Sequence, residues 1–135
     1  MTRYSGTPLQ KKLGIRPGDR LLLIGAPKEY REWLGRLPEH AVFVAKPPKG
    51  GAEFVHLFVT SVAGLENTLP KARAAMTTAG SLWVSWHKKS AKISTDVTED
   101  EIRNRALLTD LVDVKVCAVS DIWSGLKLVV RKTLR

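Results

Sequence analysis

The chain has 135 residues, 44% apolar and 26% charged, the balance of one ordinary globular domain rather than of a disordered or fibrous polymer. Lys plus Arg number 22 against 13 Asp plus Glu, a net charge of +9, which favours anionic partners such as nucleotides, phosphorylated metabolites, nucleic acid or acidic protein surfaces. No apolar run approaches the roughly 18 residues of a membrane span, and a single cysteine, Cys117, excludes an internal disulfide and a Cys-rich zinc site.

The opening residues, Met1 to Gly6, lack the apolar core of a signal peptide, so a cytoplasmic location is expected. Thr7-Pro8-Leu9 predicts a helix start, with Thr7 as N-cap and Pro8 at the first helical position. The helix covers 8–13, and Gly14 stops it. Arg16-Pro17-Gly18-Asp19 is a turn with Pro and Gly as its central pair. Leu21 to Ile24 is a first buried strand, ended by Gly25-Ala26-Pro27. Helical spacing follows in Tyr30, Trp33, Leu34 and Leu37 and breaks at Pro38. Ala41 to Ala45 is a second strand. The loop Lys46-Pro47-Pro48-Lys49-Gly50-Gly51 is too short for a helix, so a crossover element is missing or abbreviated there.

Phe54 to Val59 is the third and most apolar strand. Thr60-Ser61 caps a helix that carries Leu65, Leu69, Ala72 and Met76 on one face, and Pro70 inside it predicts a kink or two abutting pieces. Gly80 opens a short apolar run over 81–87 that ends abruptly in Trp86-His87-Lys88-Lys89-Ser90, as suits a strand covered on both faces. A polar loop fills 88–97. Thr98-Glu99-Asp100-Glu101 is a capping box ahead of Ile102, Ala106, Leu107 and Leu111. Val114 to Val119 is a fifth strand, with Cys117 as a buried, inert thiol. After the Ser120-Asp121 turn, Leu126, Leu128 and Val130 alternate with Lys127 and Arg131, the pattern of an edge-like antiparallel strand. The sum is one three-layer α/β domain over 1–135, its sheet mostly parallel with a C-terminal antiparallel hairpin.

This order resembles a shortened class I methyltransferase, a Rossmann-like fold. The matching features are the Pro-Gly turn leading into Leu21, the strand ending near Phe58, the Gly-opened strand Ala79-Gly80-Ser81-Leu82-Trp83-Val84, and the terminal hairpin with 124–131 antiparallel. The chain also resembles an uncharacterised bacterial family of small domains. That likeness lies in Tyr4-Ser5-Gly6-Thr7-Pro8-Leu9, Lys11 to Ile15, Gly25-Ala26-Pro27, Trp83 to Lys89, Thr95-Asp96, Val116 to Val119 and Trp123 to Leu126. It implies no activity. Methyltransferases carry a glycine-rich loop after the first strand and an acid ending the second, whereas this chain has Gly25-Ala26-Pro27-Lys28-Glu29 and Val44-Ala45-Lys46. The resemblance therefore implies the scaffold without a complete S-adenosylmethionine motif, and no cofactor is specified.

In open α/β sheets ligands sit outside the carboxyl ends of the strands. Trp86, His87, Lys88 and Lys89 form a candidate anion clamp there, with Trp86 as a stacking face. With the strand order that the methyltransferase resemblance implies, Pro27 and Lys28 converge on the same edge, as do Thr60 and Ser61, whose helix N-terminus suits phosphate. His87 has one candidate partner acid, Asp96, while His56, inside an apolar strand, reads as a buried hydrogen-bonded side chain. Trp33 and Trp83 fall at core positions, leaving Trp86 and Trp123 as the tryptophans open to a ligand. Lys115, near the start of its strand, reads as a solvated charge at the opposite end. No catalytic residue and no metal ligand set is assigned. The expected function is binding of an anionic, nucleotide-like or phosphate-bearing ligand at this edge. The alternatives are a basic nucleic-acid-binding accessory protein, a divergent S-adenosylmethionine-dependent methyltransferase, and a subunit docking an acidic partner.

Overall fold

The computed structural model describes residues 8–134; Thr7, the expected cap of the first helix, lies outside them, as do Tyr4, Ser5 and Gly6. Helices α1 (Leu9–Leu13), α2 (Tyr30–Leu34), α3 (Val62–Ala74) and α4 (Glu99–Leu107) alternate with strands β1 (Arg20–Ile24), β2 (Val42–Val44), β3 (Ala52–Phe58), β4 (Met76–His87), β5 (Leu111–Ala118) and β6 (Trp123–Val130). The strands form one sheet in the order β2-β1-β3-β4-β6-β5. Pairings β1–β2, β1–β3 and β3–β4 are parallel, and β6 runs antiparallel to both β4 and β5.

Alternation along the strands divides the core in two. Leu22, Val55, Leu57, Leu82, Val84, Leu126 and Leu128 pack under α3 and α4 with Leu65, Leu69, Ile102 and Ala106. Leu21, Phe54, Phe58 and Trp83 meet Leu13, Tyr30 and Leu34 from α1 and α2. The expected three layers are present. Trp83 pins the second face, its Nε1–H donating to the Leu13 carbonyl at 2.9 Å.

Three local rules act as anticipated. Gly14 ends α1 at φ +79, the Arg16–Asp19 turn closes through an N–H to carbonyl bond of 3.1 Å, and Ser61 Oγ caps α3 by accepting from the Gly64 N–H at 3.0 Å. The β2 to β3 connection crosses over β1 with no helix, as its length requires. Thr98 Oγ accepts from the Glu101 N–H at 3.1 Å. The Glu101 carboxylate turns outward to Arg105 at 3.3 Å, so it serves the outer face of α4.

Four expectations are corrected. Pro70 sits within α3 as one continuous helix rather than between two abutting pieces, and its outward position leaves the buried stripe Leu65–Leu69–Ala72 intact. Met76 and Leu111 belong to β4 and β5 rather than to helical faces, since the helices stop at Ala74 and Leu107. β6 is internal and β5 is the edge; the Lys127 alternation reports a partly uncovered sheet face, not an unpaired strand. Lys115 lies within β5, directly opposite Lys127.

Candidate functional site

The segments Leu21–Ile24, Phe54–Phe58 and Leu82–Trp86 run side by side in one direction. The carboxyl ends of β1, β3 and β4 are therefore neighbours, which brings Pro27-Lys28, Thr60-Ser61 and Trp86 to Lys89 to one end of the sheet. Lys28 and Lys89 are exposed, and Pro27, Ser61, His87 and Lys88 are partly covered.

These residues do not form one clamp. Successive strand side chains point to opposite faces, so Trp86 joins the α3/α4 core at 8% exposure while His87 turns to the α1/α2 side. Trp86 therefore offers no stacking face. Trp123 is 7% exposed, so the two tryptophans expected to be open are both buried. The His87 ring lies on Trp123, with centroids 4.1 Å apart. Its Nδ1 is buried without a partner among the described residues, and burial lowers the His87 pKa.

The α3 N-terminus is already served by the chain itself. Residues 88–97 leave β4, make a 3-10 turn over Lys89–Ala91, and fold back across the start of α3. Thr95 Oγ1 donates to the Thr60 carbonyl at 2.9 Å, and the Val62 N–H donates to Asp96 Oδ1 at 2.9 Å. With Ser61 Oγ on Gly64, two helix-start N–H groups are engaged. Asp96 occupies the place assigned to phosphate, and its carboxylate serves Val62 rather than His87.

Beneath the rim lies a polar chain whose partners the sequence did not disclose. Tyr30 OH is 2.8 Å from His56 Nδ1, and His56 Nε2 is 2.8 Å from Ser85 Oγ. Tyr30, His56 and Ser85 are fully buried. The imidazole stacks on Phe58 at 4.4 Å and meets Tyr30 edge-on at 5.0 Å. Burial lowers its pKa to about 3 and raises that of Tyr30 well above 10, so the chain is neutral at ordinary pH. His56 meets the expectation of a buried, satisfied side chain. The available signal for Ser85 was a hydroxyl on the same strand face as Trp83, inside an apolar run.

Solved structures similar to this chain share its architecture. The DhpI–SAH complex aligns with a TM-score of 0.60 at 13% identity, over 93% of this chain and 83% of that one. The m1A22 tRNA methyltransferase TrmK of B. subtilis gives 0.55 at 10%, over 93% of this chain and 66% of that one. A SAM-dependent methyltransferase from Aquifex aeolicus gives 0.52 at 14%, over 91% and 88%. The fold is methyltransferase-like. At these identities the likeness concerns fold alone, and no family model or curated protein matches the chain.

In a methyltransferase-like fold the loop after β1 and the end of β2 hold S-adenosylmethionine. Here Gly25 has φ +72, and a Cβ on it would stand 2.9 Å from the Phe58 carbonyl oxygen. Its missing side chain serves the close approach of β1 to β3. Pro27 has no N–H to offer, and β2 is followed by exposed Ala45 and Lys46 in place of an acid. The residues present do not fit that cofactor. Among the described residues no three His, Cys, Asp or Glu side chains converge to hold a metal, and no helix is long and apolar enough to cross a membrane.

Proposed function

We propose that this protein is a small methyltransferase-like domain that binds an anionic, phosphate-bearing small ligand at the carboxyl rim of its sheet without transferring methyl groups. The observation supporting this reading is the parallel alignment of β1, β3 and β4. It sets Lys28 and the Lys88-Lys89 pair at one sheet end, on a scaffold whose cofactor loop is altered. Lys28, Lys88 and Lys89 supply point charges, and His87 supplies a polar edge beside Trp123. Pro27, Thr60 and Ser61 shape the rim. Asp96 directs the anion away from α3 and toward the α1/α2 side.

Thermal-shift titration with nucleotides and phosphosugars tests the reading, with S-adenosylmethionine as a separate arm. A nucleotide or phosphosugar raises the melting temperature of the native chain, and Lys28→Ala/Lys89→Ala abolishes that shift. A shift unchanged by the double substitution overturns the rim. Calorimetric binding of S-adenosylmethionine turns the assignment to a divergent methyltransferase. The net charge of +9 favours a second reading, a basic nucleic-acid-binding accessory protein. Its mark is an affinity that falls steeply with salt through counterion release. Passage over heparin at low salt without retention dismisses it.

A further inference from the structure

At the sheet end opposite the rim, α1, the Arg16–Asp19 turn, the starts of β3 and β4 and the last half of β6 enclose a cleft of about 460 Å³. Lys11, Arg16 and Lys127 line it together with Asp19, Glu53 and Ser81. Both carboxylates are already engaged. Glu53 is held by Arg20 at 2.6 Å and accepts the Arg20 N–H at 2.8 Å, and Asp19 Oδ2 accepts the Arg16 N–H at 2.9 Å. Lys11, Arg16, Lys115 and Lys127 form no ion pair among the described residues.

The placement of these cations is costly as it stands. Lys115 and Lys127 face each other across β5 and β6, and like charges directly opposite destabilise a sheet. Lys127 shares its sheet face with buried Trp83, its partner on β4, and its ammonium sits 3.5 Å from the point where a Gly14 Cβ would stand. Burial lowers the Lys127 pKa, and Lys115 and Arg16 lower it further. A half-covered ammonium repelled by two neighbours, with no ion-pair partner among the described residues, is a ready contact for an anion from outside.

The geometry points to an anion-binding site in this amino-end cleft, distinct from the carboxyl rim, that takes a small phosphate-bearing ligand. Arg16 provides a planar fork for two phosphate oxygens and Lys127 a point charge from the sheet floor. Lys11 closes the α1 side, and the Ser81 hydroxyl is a further hydrogen-bonding group on the wall. The volume falls in the range of small-molecule pockets, about 300–1,000 Å³. A concave cleft with two engaged carboxylates in its wall suits a compact ligand better than a nucleic-acid backbone, which needs an open basic stripe.

Inorganic pyrophosphate titrated into isotopically labelled protein, followed by amide NMR, is the test. It shifts the amides of Gly14, Arg16, Ser81 and Lys127. Lys127→Met, which keeps the apolar stem, and Arg16→Gln each weaken that binding about ten- to a hundredfold. Lys127→Met also raises the melting temperature of the ligand-free protein by removing the repulsion with Lys115. Where Lys127→Met does not fold, Lys115→Met on the exposed edge strand gives the same stabilisation and a weaker affinity. The amides of Lys28 and Lys89 report the rim separately, so either site can fail without the other. Shifts confined to the rim, no shifts at millimolar pyrophosphate, or binding unaltered by Lys127→Met and Arg16→Gln overturn the site. A 20-nucleotide RNA that shifts the same amides more strongly than pyrophosphate overturns the ligand class.

Discussion

His56 shows how far one buried group sets the behaviour of the chain. Its proton-binding range lies near 6.5 when unfolded and is pushed down to about 3 by burial in the fold. Between those values the unfolded chain binds a proton that the folded chain refuses, so stability rises with pH and is complete above 6.5. Unfolding free energies measured from pH 7 to pH 5 will fall with a slope approaching about 1.4 kcal/mol per pH unit below 6.5. His56→Phe removes most of that slope, and the remainder belongs to His87 and, toward pH 5, to Glu53 and Asp110, whose carboxyls Arg20 and Arg73 hold below their usual range. Ser85→Ala leaves His56 Nε2 unpaired and costs about 1–3 kcal/mol in urea denaturation. A hydrogen-bonded histidine was legible from its place in Phe54-Val55-His56-Leu57-Phe58. Its two partners were not, because Tyr30 and Ser85 lie 26 and 29 residues away and meet it only across the sheet and α2.

At the scale of elements, the apolar runs and capping residues carried most of the information. β1, β3 and the second half of β4 follow apolar runs between turn signals, and Ser61 and Thr98 start their helices as their side-chain oxygens dictate. The ends of strands were less legible. β5 begins at Leu111, which pairs with Val130 ahead of Asp113, the residue that interrupts the apolar pattern and is held by Arg103 of α4 at 3.0 Å. β4 begins at Met76 because Ala52 pairs with it before a register shift. That irregular start depends on Gly51, at φ +97, where a Cβ would lie 2.6 Å from the Met76 carbonyl carbon. Gly18 has a similar φ of +80 with nothing within 4 Å. Gly51→Ala is therefore predicted to cost more than Gly18→Ala. Strain alone accounts for about 1–3 kcal/mol, and the steric clash adds to it only at position 51. Equal losses for the two variants in thermal denaturation would refute this account of the β2–β3 crossover.

For the molecule as a whole, the rim depends on a contact spanning 34 residues, from Asp96 back to Val62. Asp96→Ala removes a carboxylate from the positive end of α3 and should lower stability by about 1 kcal/mol. Amide exchange at Val62 and across 88–97 should quicken while the β6 core stays protected. Unchanged exchange at Val62 would show that the loop is held by Thr95 and buried Val97 alone. The same tertiary view separates two positive regions that net charge merges: Lys28 with Lys88 and Lys89 at one end, and Lys11, Arg16 and Lys127 at the other.

Composition, apolar runs, caps and turns by themselves determined the class of fold, the positions of the buried strands, the helix-free crossover and the altered loop after β1. Each depends on short-range sterics, hydrogen bonding or hydrophobic periodicity, which act within a few residues. Only the tertiary structure decided that Trp86 faces the core, that Asp96 closes α3, that β6 is internal, and that Lys127 opposes Lys115 over a cleft. Those outcomes depend on which strand lies beside which and on how completely two short helices cover a sheet face. Both are set by the sum of long-range packing rather than by any local stretch of chain.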